Sequence, residues 1–82
     1  MMIERIRKIL KDHGRLSKDI GAVADDADLY QAGMTSHASV NVMIALEDTF
    51  DVEFLDSMLK RSVLESVASI SAALEEIQAV AA

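Results

Sequence analysis

Cysteine, proline and tryptophan are absent from this chain of 82 residues, which also has only three glycines and three aromatic side chains. Without cysteine there is no disulfide framework, and two histidines do not supply the ligands of a structural zinc site. The lack of proline and a core of small and aliphatic residues favour helices over a sheet. The length suits a single small domain over residues 1–82.

A long apolar run is also missing. No stretch approaches the roughly 20 residues that span a bilayer. Residues 1–11 are charged and periodic, and they lack the apolar centre of a signal peptide. We therefore expect a cytoplasmic protein that does not bind membranes.

Basic residues are missing from one long block of the chain. Residues 19–56 contain nine acidic groups and no lysine or arginine, and the whole chain has a net charge of −6. Such a block repels the phosphates of nucleic acids and attracts basic protein surfaces. It predicts a protein partner rather than a nucleic acid, although a solvated acidic surface has the same composition.

Three segments show the periodicity of amphipathic helices. We expect helices over residues 2–13, over residues 36–50, and after a cap at Ser66. Thr35 or Ser36 can cap the second helix, and Gly14 can end the first in the left-handed conformation. The predicted buried stripes are Met2, Ile6, Ile9, Leu10 and His13; Ser39, Val42, Met43, Leu46 and Phe50; and Val63, Val67, Ile70, Leu74 and Ile77.

A long loop and a short helix connect these segments. Residues 15–35 lack periodicity, and a loop of that length is often functional. Its expected anchors to the core are Leu16, Ile20, Val23 and Leu29. Asp56 can begin a short third helix that ends at Arg61, with Lys60 and Arg61 near its C-terminal dipole. The predicted fold is all-α, a four-helix bundle with a long first loop and a short third helix.

Catalytic and metal sites are difficult to build from this composition. His37 adjoins Ser36, but successive side chains on a helix point about 100° apart. His13 is expected to pack or to cap the first helix. The acidic runs at 25–28 and 51–56 do not match the spacing of a calcium loop. We expect a protein that is not an enzyme, with no catalytic residue and no metal site.

Gly33, Met34, Thr35 and Ser36 place a serine where the long loop meets the second helix. The start of a helix exposes its side chains, offers backbone N–H donors and favours an incoming phosphate. The same residues also suit an ordinary helix cap. Taken alone, the motif leaves both interpretations open.

Residues 28–36 (Asp-Leu-Tyr-Gln-Ala-Gly-Met-Thr-Ser) resemble the attachment motif of the acyl carrier protein family. The similarity continues without a gap to Asp56, and the predicted helices fall where that family has them. The resemblance implies that Ser36 accepts 4′-phosphopantetheine from coenzyme A through a phosphopantetheinyl transferase. It also implies that the thiol of this arm holds cargo as a thioester, which a chain without cysteine could not otherwise do.

Several positions depart from the pattern of carriers in fatty acid synthesis. Thr35, Ser36 and His37 stand where Asp-Ser-Leu is usual, Asn41 where an acidic residue is usual, and Leu55 where proline is usual. The chain is more similar to freestanding specialised carriers, some of which are aminoacyl carriers loaded by ligases related to class II tRNA synthetases. We favour aminoacyl cargo, with a fatty acyl or polyketide carrier as the alternative. An unmodified acidic helical adaptor is the alternative of another class.

Acyl cargo and aminoacyl cargo have different requirements for space in the core. A long acyl chain needs shelter from water, worth about 0.8 kcal/mol per buried methylene, whereas the ammonium of an amino acid resists burial. We therefore expect aminoacyl cargo to leave the core closed. The side chains available to shelter an acyl chain are Val42, Met43, Leu46, Phe54, Met58, Leu59 and Ile70.

One face of the second helix is predicted to bind partners. His37, Asn41, Ile44 and Asp48 lie opposite its apolar stripe. Ile44 is an apolar side chain among polar ones and could fill a pocket on a partner. The expected partners are the transferase, a cargo-loading ligase or synthase and a downstream transferase, each binding a monomer of this chain.

Overall fold

The computed structural model describes residues 2–58 and 60–81, with the side chains of Asp56, Val80 and Ala81 left undescribed. Leu59, one of the proposed shelters for an acyl chain, lies outside the described residues, as does the side chain of Asp56. The regular elements of the described residues are helical, which confirms the all-α class. They are α1 (Met2–His13), a 3₁₀ turn (Ile20–Ala22), α2 (Ser36–Phe50), a second 3₁₀ turn (Asp56–Met58) and α3 (Val67–Ala81).

The core lies between the three α-helices, with α1 packed against both α2 and α3. The helices bury most of the stripes that their periodicity predicted, although Met2, Met43 and Phe50 are only half-buried and His13 is exposed. Val63 of the last stripe is half-buried and lies before the start of α3. The largest fully buried side chains of the helices are Ile6, Leu10, Val42, Leu46, Val67, Ile70 and Leu74. No helix in the described parts of the chain is long and apolar enough to cross a membrane.

The end of α1 differs from the prediction at Gly14. Its N–H donates to the carbonyl of Leu10 at 2.8 Å, but Arg15, with φ of 52°, is the residue in the left-handed conformation. Gly14 is instead buried where a Cβ atom would lie 2.7 Å from that Leu10 oxygen. A glycine stands there because the backbone approaches closely, so the prediction of a left-handed Gly14 was wrong.

Hydrogen bonds and an ion pair connect the long first loop to α1 and to α3. The Arg7 guanidinium on α1 donates to the Ile20 carbonyl at 2.7 Å and forms an ion pair with Asp25. The Asp25 carbonyl in turn accepts from the N–H of Ala68 at 2.8 Å, in the first turn of α3. Val23 and Leu29 are buried, as predicted, with Leu16 and Ile20 half-buried. The loop is therefore a fixed part of the fold.

A 3₁₀ turn replaces most of the predicted third helix. The Met58 N–H donates to Leu55 at 2.8 Å and the Val63 N–H to Lys60 at 3.1 Å, and both bonds span three residues. So short a segment gains too few bonds to offset the entropy of starting an α-helix, and the tighter turn suits it better. The predicted helix from Asp56 to Arg61 was therefore too long, and the described residues form three α-helices instead of four.

The start of α3 follows the predicted cap at Ser66. The N–H of Ser69 donates to the Ser66 hydroxyl at 3.0 Å, and the N–H of Ser66 donates to the Ser69 hydroxyl at 3.0 Å. This reciprocal pairing satisfies two backbone donors that a helix end otherwise leaves without partners.

Candidate functional site

The position of Ser36 is set by a turn that only glycine can form. Gly33 has φ of +114°, and a Cβ atom there would lie 2.7 Å from the backbone nitrogen of Ser17. Ser17 uses that nitrogen and its hydroxyl to donate to the carbonyl of Ala32, at 2.9 and 2.8 Å. The close contact between the two loop segments holds the chain in place just before α2.

Thr35 caps α2, which resolves the choice between Thr35 and Ser36. Its hydroxyl accepts from the N–H of Ala38 at 3.0 Å, and its carbonyl accepts from the N–H of Ser39 at 2.9 Å. Ser36 is the first residue of the helix and is exposed. Because Thr35 supplies the cap, the exposed Ser36 is not needed for helix capping.

A groove of about 430 Å³ opens beside Ser36, and we call it the Ser36 groove. Apolar side chains from α2, from the segment after α2 and from the approach to α3 form most of its wall. Its lining residues are Tyr30, Ser36, Ser39, Val40, Met43, Phe54, Met58, Lys60, Arg61, Val63 and Leu64. A serine at the edge of such a groove could hold an attached chain along an apolar surface.

The basic residues Lys60 and Arg61 lie in the wall of the Ser36 groove. The Cζ atom of Arg61 is 3.9 Å from the centroid of the Tyr30 ring, within range of a cation–π contact. From the sequence, Lys60 and Arg61 were instead expected to interact with the C-terminal dipole of the predicted third helix. Residues 19–56 contain no basic group, so Lys60 and Arg61 are the first basic residues after a long acidic block. That contrast could have identified them as candidate site residues.

Glu47 positions one wall of the groove. Its carboxylate accepts from the N–H of Phe54 at 2.9 Å, and its carbonyl accepts from the N–H of Val52 at 3.1 Å. Asp51 ends α2 in the left-handed conformation, with φ of 53°. Together these contacts turn the chain sharply so that the buried Phe54 lies against the groove.

The predicted partner face is exposed at all four positions, His37, Asn41, Ile44 and Asp48. The last three of them line a second groove of about 460 Å³, together with Asp12, His13, Arg15, Ala45 and Thr49. This groove shares no lining residue with the Ser36 groove, so two different sides of α2 carry the predicted site residues.

His13 is exposed, which contradicts the expectation that it packs, although it lies in the last turn of α1, where a basic group faces the C-terminal end of the dipole. Instead it lines the second groove beside Asp12.

Two exposed apolar residues were not recognised as site candidates. Val40 is 49% exposed, as is Ile44, and Leu55 is 44% exposed. Val40 lies four residues after Ser36 and therefore one helical turn along the same side. That spacing could have revealed it, because valine at an exposed helix position next to a candidate modification site is an apolar contact for a ligand or a partner.

Comparison with known proteins finds a matching family and a similar curated protein. Residues 4–74 match the family described as the phosphopantetheine attachment site. A curated protein, the aminoacyl carrier protein of Agrobacterium fabrum (strain C58), is 45% identical over 65 residues, which cover 79% of this chain and 78% of that protein.

Solved structures match as well. One is a crystal structure of an engineered Bradyrhizobium japonicum glycine:[carrier protein] ligase complexed with a carrier protein from Agrobacterium tumefaciens and ATP. The matching chain is 40% identical with a TM-score of 0.91, and the match covers 94% of this chain and 100% of that one. A Bradyrhizobium japonicum glycine:[carrier protein] ligase complexed with glycylated carrier protein matches at 22% identity and a TM-score of 0.75, over 87% and 95% of the two chains. The second match shows similarity of fold.

Proposed function

Because the chain belongs to the family of carrier proteins with a phosphopantetheine attachment site, we propose that Ser36 is the residue that carries the arm. The observation that supports this assignment most strongly is an exposed hydroxyl on the first residue of α2, next to a helix cap supplied by Thr35. The Ser36 oxygen would form a P–O bond to the phosphate of the arm while the pyrophosphate bond of coenzyme A breaks. Adenosine 3′,5′-bisphosphate would leave, and the hydroxyl proton would pass to a base of the catalysing transferase.

The residues around Ser36 fit the group. The Ser36 groove offers apolar contacts from Val40, Met43 and Phe54, and basic side chains near its rim. When attached, the arm supplies a terminal thiol that holds cargo as a thioester. The chain itself contributes attachment, orientation and a docking surface, so the proposed role requires no catalytic residue.

We propose aminoacyl cargo. The 45% identity to an aminoacyl carrier protein supports this choice, as do the departures at Thr35 and His37 from the usual fatty acid pattern. The structure is compatible with it, because the side chains of Val42, Leu46 and Ile70 are packed in the core with 0% exposure. A small polar cargo with a charged ammonium would remain near solvent instead.

The loading partner is proposed to be a ligase that docks on the exposed face of α2, formed by His37, Asn41, Ile44 and Asp48. Ile44 provides an apolar anchor beside the second groove, and the surrounding acidic groups would attract a basic surface. The phosphopantetheinyl transferase must reach Ser36 and is proposed to use the start of the same helix. We propose that the chain acts as a monomer in both encounters.

The assignment of Ser36 is tested with coenzyme A, a broad-specificity transferase and intact-mass measurement. We expect one arm on the natural protein, none on Ser36→Ala, and one on the matched control Ser62→Ala, which replaces another exposed serine. Ser36→Ala should remain folded because Thr35 supplies the cap. An arm on the Ser36→Ala variant would refute the site, and no arm on the natural protein would favour the unmodified adaptor.

Intact mass of the protein isolated from its own cell would identify the cargo. An added amino acid supports the proposed function, whereas a fatty acyl or polyketide chain would assign the protein to the other branch of carriers.

A further inference from the structure

We propose that Arg61, stacked on Tyr30 and assisted by Lys60, binds the phosphodiester of the arm at Ser36 and so directs the arm into the Ser36 groove. This proposal rests on the proposed attachment of the arm to Ser36. It assigns to Arg61 and Lys60 a positioning role, in which they orient the arm without taking part in a reaction.

The charges of the Ser36 groove are opposite to those of the chain as a whole. The chain has a net charge of −6, and residues 19–56 contain no lysine or arginine. Yet the charged residues that line the groove are both basic, Lys60 and Arg61, and no acidic residue is among the described lining residues. A phosphodiester carries one negative charge, so this groove is an electrostatically favourable place for it on a chain of negative net charge.

The position of Arg61 suits a phosphate. The Cζ atom of its guanidinium lies over the Tyr30 ring, 3.9 Å from the ring centroid, within range of a cation–π contact. Its N–H groups lie in the plane of the guanidinium and point outward from the edge, where they can donate two parallel bonds to phosphate oxygens. Stacking on an aromatic ring thus restrains the side chain without using the donors that a phosphate needs.

Tyr30 connects this arrangement to the attachment site. It lies in the turn that leads through Gly33 to Ser36, and its N–H donates to the carboxylate of Asp28 at 2.9 Å. The N–H of Gly33 donates to the Tyr30 carbonyl at 3.1 Å. Tyr30, which carries the contact with Arg61, therefore belongs to a hydrogen-bonded turn that ends at Gly33, three residues before Ser36.

An arm held at its phosphate would extend along the apolar part of the groove. Val40, Met43 and Phe54 line that part. Restricting the first bonds of the arm reduces the number of conformations that a partner enzyme must select. The contact with Arg61 and Lys60 would thereby present the thiol of the arm in a preferred direction.

The experiment follows the Arg61 side chain by NMR in ¹⁵N-labelled protein before and after modification by a broad-specificity transferase with coenzyme A. Intact mass first establishes that Ser36 carries the arm. We then expect the Nε–Hε resonance of Arg61 to shift on modification, and the shift to shrink in about 1 M salt, where the Debye length is about 3 Å. The ³¹P resonance of the diester should report the same contact.

Variants separate this contact from a general charge effect. Arg61→Gln should move the ³¹P resonance, whereas the matched control Arg15→Gln, which removes an exposed arginine of the second groove, should leave it unchanged. Tyr30→Phe retains the ring and should preserve the Arg61 shift, whereas Tyr30→Leu should reduce it. Circular dichroism checks that each variant is folded.

The outcomes distinguish the two proposals. Two results would overturn the proposed contact between Arg61 and the phosphodiester and leave the attachment at Ser36 intact. In one, the Arg61 resonance of the fully modified protein does not move. In the other, the ³¹P resonance responds equally to Arg61→Gln and Arg15→Gln. A protein that accepts no arm at Ser36 overturns both.

Discussion

Substitution of Gly33 by alanine should strongly destabilise the protein, because two independent features of the structure oppose a side chain there. The φ angle of +114° is one that residues with a Cβ atom rarely adopt. The new Cβ atom would also lie 2.7 Å from the Ser17 backbone nitrogen and 2.9 Å from its hydroxyl oxygen. Ser17 cannot move away without losing its bonds to the Ala32 carbonyl.

The magnitude follows from these contacts. Backbone strain of this kind costs about 1–3 kcal/mol, and each weakened hydrogen bond adds about 0.5–1.5 kcal/mol. With two such bonds, the expected loss is roughly 2–6 kcal/mol. A domain of this length has a total stability of roughly 4–12 kcal/mol, so Gly33→Ala should remove a large share of it.

Urea unfolding followed by circular dichroism measures the effect. With a slope of about 1–3 kcal/mol per molar urea, the midpoint should fall by at least about 0.7 M. Gly21→Ala is the matched control, since its Cβ atom would meet only the end of the Asp19 side chain, at 2.9 Å, and its φ lies outside the left-handed range. That side chain is exposed, and turning it away loses only its bond from the N–H of Gly21, at 3.2 Å. The control should therefore cost about 0.5–1.5 kcal/mol, less than Gly33→Ala.

Equal midpoints for the two glycine variants would refute this explanation. They would mean that the loop before Ser36 adapts to a side chain at position 33, and that the close contact with Ser17 does not hold the attachment site in place.

Three further outcomes are expected. Glu47→Ala should lower the free energy of unfolding by about 1.5–3 kcal/mol in urea titrations, because the carboxylate bonded to the N–H of Phe54 is lost; an unchanged midpoint would contradict this. Ile44→Arg should raise the KM for the transferase or the loading ligase about tenfold for each 1.4 kcal/mol of docking energy lost, with an unaltered circular dichroism spectrum. Ile3→Arg on α1, which also replaces an exposed isoleucine, should leave KM unchanged, and equal effects would remove the α2 face from docking. Glycyl loading of the modified protein should leave the amide shifts of Val42 and Ile70 almost unmoved, since both side chains are fully buried; large shifts would indicate a sequestered acyl chain.

The helices of this protein could be predicted because their causes are local. The stripe that contains Ile6 and Leu10 sets α1 at Met2–His13, and a serine at position 66 caps α3. Periodicity and capping both act within a few residues, so neither required knowledge of the rest of the fold. The segment after Asp56 was predicted less well, because whether so short a helix forms depends on what it packs against.

Some candidate site residues could also be predicted from local sequence, and others could not. The position of Ser36 at the junction of loop and helix followed from the neighbouring residues, and so did the exposure of Ile44 on the polar side of α2. The basic wall of the Ser36 groove did not follow. Arg61 and Tyr30 are distant in the chain, and no periodic pattern relates them.

By itself the sequence determined the all-α class, the course of three helices, the acidic character of the chain and the serine at the start of α2, because composition and local spacing specify these features. Only the tertiary structure decided that Gly33 must be a glycine against Ser17. It also decided that Thr35 provides the cap, and that Arg61 lies on Tyr30 beside Ser36. The loop contacts depend on how distant segments fold together, and the choice of cap depends on where the turn before α2 directs the two hydroxyl groups, which spacing along the chain does not encode.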